Sequence, residues 1–466
     1  MFVAGRDDLG STQSRAGSVI ERVLSLSDQQ VERALEDVRG RFGTRHSDLT
    51  FWFDAHAHRV SNRVDPSVVI SPERWRLIGA FFTHEFSVEG ASLSNPSVVL
   101  HPDQSGLPDG NARFLMSVRG IGEGHRSSIG FRTGIIDRWG GITVDPPRQS
   151  LTEGIHREVV MKREVFAGML TDLDDYGENA RYVLEQLGDE FTVYEMEDHL
   201  IRLLHESHTY RNAEQTVLNF RSIIERNRAV SFDPESDFSE RILWPYADAE
   251  SRGMEDARFV RFIDEHGVPR YHASYTAFDG DKIAQQLITT KDFSTFEMAP
   301  LSGKATAGKG LALFPRKIDG RFMAMTRHDH ESNWIAVSDT TNHWDDVVRI
   351  QVPSRSWELI QMGNSGSPIE TEAGWLCLTH AVGPMRTYCI SALLLDRADP
   401  TRVIGSLDEP LLAPSESERN GYVPNVLYSC GAMMHDGLLL VPFGIADNYI
   451  GFATVPVEPL LERLIG

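Results

Sequence analysis

The sequence predicts an all-β fold, a five-bladed β-propeller with an N-terminal helical arm and a helical insertion, and three observations predict it. The first is a repeat. Five stretches open on a turn and run into an alternating apolar strand that ends on a polar or charged residue: Asn111 to Arg119, Val268 to Asp279, Asp319 to Arg327, Glu372 to His380 and His435 to Asp447. The second is spacing. From Tyr275 to Arg327 is 52 residues, from Arg327 to His380 is 53, and from His380 to Asp447 is 67, close to the length of a four-stranded blade. The third is that helical periodicity is confined to two stretches. If five blades surround one axis, the strand nearest that axis brings Arg119, Asp279, Arg327, His380 and Asp447 to one central pocket.

The elements follow in order. An arm over residues 1–50 carries helical periodicity from 11 to 42, with Val19, Ile20, Val23 and Leu24 on one face and Val31, Leu35 and Val38 on the next segment. Ser27 stands three residues before Gln30, the start of a capped second helix. This apolar face must bury somewhere, on its own propeller or on a second copy, so a homo-oligomer through the N-terminal helices is expected. From Phe51 to about Asp145 short strands and Asp, Gly and Pro turns predict the first blade, with His101 to Gly110 too rich in turn formers to be a strand. Residues 153–228 turn helical again, an insertion within a catalytic propeller domain spanning 51–460. From Val230 onward the pattern is strand-like.

The chain has 466 residues, 41% of them hydrophobic and 24% charged, enough to bury a sizeable core. A net charge of -21 argues against nucleic acid, because neutralising phosphates needs a basic surface. No apolar run reaches the length of a signal peptide at the N-terminus or of a membrane span elsewhere, and the expected location is cytoplasmic, away from membranes. Cys377, Cys389 and Cys430 form no CxxC pair and read as structural thiols. No His, Cys and Asp cluster has metal spacing, so no metal and no cofactor is expected.

Glu255 and Asp256, in the run Gly253 to Phe259, form the sharpest local motif. On an extended segment their carboxylates point to opposite sides, so one can face the axis while the other pairs with Arg258. Arg119, Lys309, Arg327 and His380 supply up to four positive groups at positions predicted to face one cavity. Converging cations call for an anionic ligand, and phosphate is the simplest. Taken singly, each reads as a solvated strand end; the signal lies in their recurrence at equivalent blade positions. Asn95, Asp279, Asn364, Asn425 and Asp447 suit vicinal hydroxyls. Trp334, Trp344, Trp357 and Trp375 either stack on a sugar or wedge between blades. Gly120 to His125 lacks the strand-to-helix setting of a nucleotide phosphate loop.

With these runs in view, the chain resembles glycoside hydrolase family 130, the mannoside phosphorylase family, whose fold is a five-bladed β-propeller. The matching runs are SNPSVV (Ser94 to Val99), MSVR (Met116 to Arg119), GMEDARFV (Gly253 to Val260), YTAFDG (Tyr275 to Gly280), KGLALFPRKI (Lys309 to Ile318), NWIAVSD (Asn333 to Asp339), Trp357 to Val382, and VPNVLYSCGAM (Val423 to Met433). The resemblance implies an inverting β-mannoside phosphorylase that uses inorganic phosphate as co-substrate on a manno-oligosaccharide or mannosyl glycoside and gives α-mannose 1-phosphate. Asp256 is the implied general acid, reaching the glycosidic oxygen through a mannosyl hydroxyl. The implied phosphate ligands are Arg119, Lys309, Arg327, Gln361 and His380, and the substrate-binding residues are Asn95, Ser97, Arg258, Asp279, Asn364 and Asp447. Gln361 stands where phosphorylases of the family usually carry a lysine. Two alternatives therefore stay open: an inverting β-mannosidase using water, with Glu240 or Glu331 as base, and a non-catalytic glycan-binding propeller.

Overall fold

The computed structural model describes residues 15–46, 48–148, 150–206 and 211–466, so the first fourteen residues of the expected arm lie outside the described residues. The chain forms two compact units, Met1–Ser87 and Val88–Gly466. Among its described residues the first holds four α-helices and no strand: α1 (Arg15–Leu24), α2 (Asp28–Phe42), α3 (Leu49–Arg59) and α4 (Pro72–Phe81). Ser27 and Gln30 form the expected capping box on α2. Where the sequence predicts strands from Phe51, the structure has α3 and α4. Asp48 caps the first through the Phe51 amide at 2.9 Å, and Ser71 with Pro72 starts the second. Packing explains the difference. Ile20, Val23, Val31 and Leu35 bury against Val60, Leu77, Ile78 and Phe82, so a solitary arm of two helices becomes a unit of four. That burial also uses up, inside the unit, the face on which self-association was expected.

The second unit is mostly β. Its first and second sheets are the two halves of one eleven-stranded sheet, joined where Ser127 pairs with Gly253; the first half is the antiparallel run β1 (Ser92–Leu100), β2 (Ala112–Ile121), β3 (Ser127–Ile136) and β4 (Ile142–Val144). The chain then passes through β5 (Ile155–Arg157), β6 (Met161–Lys162), α5 (Arg163–Asp172), α6 (Glu178–Leu184), β7 (Glu190–Phe191), α7 (Val193–His205), α8 (Ala213–Arg226), β8 (Arg228–Ser231) and β9 (Ile242–Leu243). These helices share a core of their own around Phe166, Leu170, Leu200 and Phe220. The second sheet is β10 (Gly253–Ile263), β11 (Pro269–Phe278), β12 (Ile283–Thr290) and β13 (Thr295–Pro300), extended at its far edge by β8 and β5. The third is β14 (Ala312–Leu313), β15 (Phe322–Thr326), β16 (Asn333–Ser338) and β17 (Asp346–Gln351). In the fourth, β18 (Gln361–Asn364) and β19 (Ile369–Glu370) both pair with β20 (Trp375–Gly383), which continues to β21 (Thr387–Leu395) and β22 (Val403–Ser406). In the fifth, β23 (Leu427–Tyr428) and β24 (Met433–His435) share one side of β25 (Leu438–Ile445), and β26 (Tyr449–Pro456) takes the other. A last helix, α9 (Val457–Ile465), buries Val457, Leu460 and Leu464 against the fourth and fifth sheets.

The five repeats of the sequence are β2, β11, β15, β20 and β25, the second strand of each sheet rather than the first. Each sheet touches the next. Ser127 pairs with Gly253 between the first and second, the Ile263 amide donates to Pro315 between the second and third, and Phe314 meets Trp375 edge-on at 5.0 Å between the third and fourth. The Tyr388 amide donates to Asn425 between the fourth and fifth, and the Cys430 amide returns to the Pro96 carbonyl at 2.8 Å, linking the fifth sheet to the first. Trp344 and Trp375 are fully buried, so at these two positions the tryptophan is a wedge.

Candidate active site

Two first strands are interrupted in the same way. Pairing of β1 with β2 slips between Ser94 and Ser97, and pairing of β10 with β11 slips between Glu255 and Arg258. At each slip a non-glycine residue adopts a left-handed backbone, Asn95 with φ 50° and Asp256 with φ 56°, a conformation that asparagine and aspartate tolerate better than other side chains. The two bulges face each other. Asn95 Nδ2 donates to Asp256 Oδ1 at 2.5 Å. A bulge re-aims side chains, so the two carboxylates are not set on opposite faces as simple alternation expects: Asp256 is the one that meets Arg258, while Glu255 accepts from Arg119 Nη2 at 2.5 Å and from Lys309 Nζ at 3.0 Å.

Asp256 is buried, and two opposing influences act on its carboxyl. Burial pushes it up, but Arg258, then Arg119 and Lys309, with the Asn95 hydrogen bond, outweigh that and hold it below the ordinary aspartate value. Arg258 is 1% exposed. Its guanidinium donates to the Asp256 carbonyl and to the Tyr428 hydroxyl, both at 2.8 Å, so it braces Asp256 from behind rather than offering itself to a sugar as expected. Asp447, half-buried with φ 48°, completes the group. Burial raises its carboxyl, Arg119 opposes the rise, and the Asp256 charge adds to it.

A second part of the cluster joins the third and fourth sheets. Arg327 Nη1 approaches His380 Nε2 at 3.2 Å. The Arg327 side chain lies across Gly363, where a Cβ would sit 1.9 Å from its Cδ, so only glycine fits there. His380 is fully buried, and that burial, reinforced by Arg327 and Arg258, drives its imidazole well below the usual histidine range. It is therefore neutral, which corrects its expected role as a fourth cation. Its ring packs edge-on against Tyr428 at 4.8 Å. Asn364 donates to the Gly310 carbonyl at 2.6 Å, fixing the turn after Lys309.

Several expected site residues lie elsewhere or serve otherwise. Asp279 caps its own turn, accepting from the Asp281 and Lys282 amides at 2.8 and 2.7 Å; an Asp-Gly turn claims its own carboxylate. Ser97 is fully buried and accepts from the Phe259 amide at 3.1 Å, stitching β1 to β10. Gln361 is half-buried two residues before Gly363 on β18, and no hydrogen bond among the described residues ties it to the cluster. Glu240 is committed to Ser150 and the Asp237 amide, and Glu331 is exposed. The sequence reading missed Tyr428 and the bridging role of Glu255. Asn95 Oδ1, the Nε atoms of Arg119, Arg258 and Arg327, and Asn364 Oδ1 have no protein hydrogen-bond partner, and the same holds for buried atoms elsewhere, Arg228 Nε among them; at this cluster they leave polar groups that a ligand could meet. A cavity of about 510 Å³ between α5 and the third sheet, lined by Gly168, Tyr176, Arg321 and His343, lies apart from all of these residues.

The comparisons with known proteins bear on this geometry. Residues 203–464 match a family described as beta-1,4-mannooligosaccharide phosphorylase; the match takes in Asp256, Lys309, Arg327 and His380 and leaves out Asn95 and Arg119. A 1,2-beta-oligomannan phosphorylase of Thermoanaerobacter sp. (strain X514) is 36% identical over 217 residues, 45% of this chain and 71% of that protein. A beta-1,2-mannobiose phosphorylase of Listeria innocua is 31% identical over 231 residues, 48% of this chain and 63% of that protein. The solved structure of the Listeria innocua enzyme with beta-1,2-mannobiose covers 82% of this chain and 94% of its own, at 21% identity and a TM-score of 0.49. With more than half its length inside the family match, the chain belongs to glycoside hydrolase family 130.

Proposed function

We propose that this protein is an inverting phosphorylase that cleaves a β-mannoside with inorganic phosphate and releases α-mannose 1-phosphate. One observation carries the reading: a buried aspartate, Asp256, stands among Arg119, Lys309 and Arg258, in a family whose relatives are named as phosphorylases of β-mannosides. The scaffold that suits it is a five-bladed β-propeller. Strand groups that touch in sequence, the first two joined in one eleven-stranded sheet and the last returning to the first, support that arrangement, and the first strands β1, β10 and β18 would then line the axis.

In this reading Asp256 gives its proton to the departing glycosidic oxygen while phosphate attacks the anomeric carbon from the opposite face. Phosphate needs no general base, because it is already an anion and nucleophilic; it needs cations, and Arg119, Lys309 and Arg327 are those within the cluster. Neutral His380 contributes a hydrogen bond rather than charge. The lowered carboxyl of Asp256 fits as well. Four cations, counting Arg258, face the three carboxylates of Glu255, Asp256 and Asp447, so a phosphate dianion turns a slightly positive site negative and draws a proton onto Asp256. The acid is thus loaded when the nucleophile is in place. A charged sugar phosphate is retained by a membrane, in keeping with a cytoplasmic enzyme. Self-association through the helical unit would need a face other than the one α4 covers, and Phe51, Trp52 and Phe81, all exposed, are where we place it.

The test is to incubate the protein with β-1,2- and β-1,4-linked manno-oligosaccharides with and without phosphate. Phosphate-dependent release of the α anomer of mannose 1-phosphate is expected. Free mannose at a rate independent of phosphate would replace the reading with hydrolysis, and no turnover would leave a glycan-binding protein.

A further inference from the structure

We propose that Glu255 is a positioning residue, the internal anion that holds Arg119 and Lys309 side by side and that incoming phosphate displaces. The inference rests on the phosphorylase reading and deepens it. Three observations carry it. Glu255 uses both of its oxygens, one on a guanidinium from β2 and one on an ammonium from the turn before β14, so a single carboxylate spans two cations supplied by different sheets. Its side chain is 12% exposed, against 18% for Arg119 and 31% for Lys309, so solvent screens the pair weakly. And it faces the cluster only because of the bulge at 255–258; in regular β10 it would point away from Asp256.

Without an anion between them, Arg119 and Lys309 would repel each other and splay. Glu255 removes that repulsion and sets their donors at the spacing of two oxygens on one centre, which is also the spacing a phosphate offers. The same contact makes Glu255 a competitor, since a phosphate that takes both cations must push the carboxylate aside. A neutral side chain of the same shape keeps an oxygen acceptor between the two cations and removes the competing charge, and because phosphate itself then supplies the anion, its binding strengthens, whereas a purely structural residue would weaken the binding of both substrates or of neither.

The experiment measures initial rates of phosphorolysis at varied inorganic phosphate and saturating mannoside, for the parent and for Glu255→Gln, whose amide keeps the shape without the charge. The expected result is a KM for phosphate lowered by roughly three- to ten-fold, with the KM for mannoside unchanged within two-fold. A KM for phosphate equal to or above that of the parent overturns the proposal. Should the glutamine variant fail to fold, Glu255→Asp, too short to reach both cations, serves in its place: a smaller fall in the KM for phosphate supports the proposal, and none overturns it. A parent enzyme whose rate ignores phosphate would end both readings, and that outcome is visible before any variant is made.

Discussion

Two buried clusters of charge, both touching the second sheet, differ in one respect. Around Glu250, fully buried, the carboxylate is met entirely by the protein: Arg228 Nη1 donates at 3.1 Å, the Tyr275 hydroxyl at 2.5 Å, and the Tyr246 and Ala247 amides at 2.9 and 3.2 Å, while Arg228 Nη2 adds an ion pair at 2.9 Å and Arg228 Nε is left without a hydrogen-bond partner. Both carboxylate oxygens are satisfied. Around Asp256 the carboxylates are also paired, yet Asn95, Arg119, Arg258, Arg327 and Asn364 each retain a buried polar atom without a protein hydrogen bond. A network nearly closed on itself holds a fold together, whereas one with more unmet groups costs stability unless a ligand completes it. The same residue types thus close on the protein around Glu250 and stay more open around Asp256, where the proposed chemistry is placed.

The largest effect should come from Asp256→Asn. An amide has no proton to give the leaving oxygen, and general acid catalysis alone contributes about 100-fold to 10,000-fold, so release of mannose 1-phosphate should fall by at least that factor while the melting temperature stays near the parent value. Activity within a few-fold of the parent removes Asp256 from the acid role. The counterpart in the closed cluster is Glu250→Gln, which strands Arg228 in a dry setting. Breaking a buried pair costs about 3–5 kcal/mol, read as a lower denaturation midpoint, with the KM for phosphate unaltered in the folded fraction. A changed KM with unchanged stability would erase the contrast between the clusters.

What the sequence revealed and what it hid have physical reasons. The second strands were legible because period-two alternation and a terminal charge recur at blade length, and Arg119, Arg327 and His380 sit where those strands end. The bulges were not legible, since a one-residue slip leaves no periodic trace. A faint signal stands beside the first: Pro96 cannot donate to a ladder and follows Asn95 directly. Because the slip at Asp256 was invisible, alternation put Glu255 and Asp256 on opposite faces and left open which of them pairs with Arg258. Asp279 misled for the reverse reason, as its place at a strand end matched the pattern while Asp-Gly chemistry bound it to its own turn. In the helical unit Ser71-Pro72 was a readable helix start, masked by the β-prone aromatics of Leu49–Arg59.

Within the open cluster, Arg327→Ala and Lys309→Ala should each raise the KM for phosphate about 10- to 100-fold, the size expected when one charge-assisted hydrogen bond to an anion is lost, and change the KM for mannoside far less. Equal rises in both would mean that the two side chains act on the fold and not on phosphate.

The smallest effect sharpens the contrast through pH. His272, on β11 and 7% exposed, is lowered to about 4, mainly by burial and secondarily by Arg270, and its ring bonds Thr289 at 3.0 Å. In the unfolded chain a histidine takes its proton near pH 6.5. Between pH 6.5 and 4 the unfolded state therefore binds the proton and the folded state does not, so stability is fully present above 6.5 and is lost as pH falls toward 4, with no further loss from this group below that. The contribution is about 1–2 kcal/mol after allowance for local relaxation. His272→Gln should flatten the fall in denaturation midpoint over this range by that amount. Because His272 belongs to a region with no ligand to answer to, the flattening should be the same with and without saturating phosphate. His380 is also held neutral by burial but lies against Arg327, so its share of the acid loss should shift when phosphate is added. A phosphate-sensitive His272 would join the two regions that the structure separates.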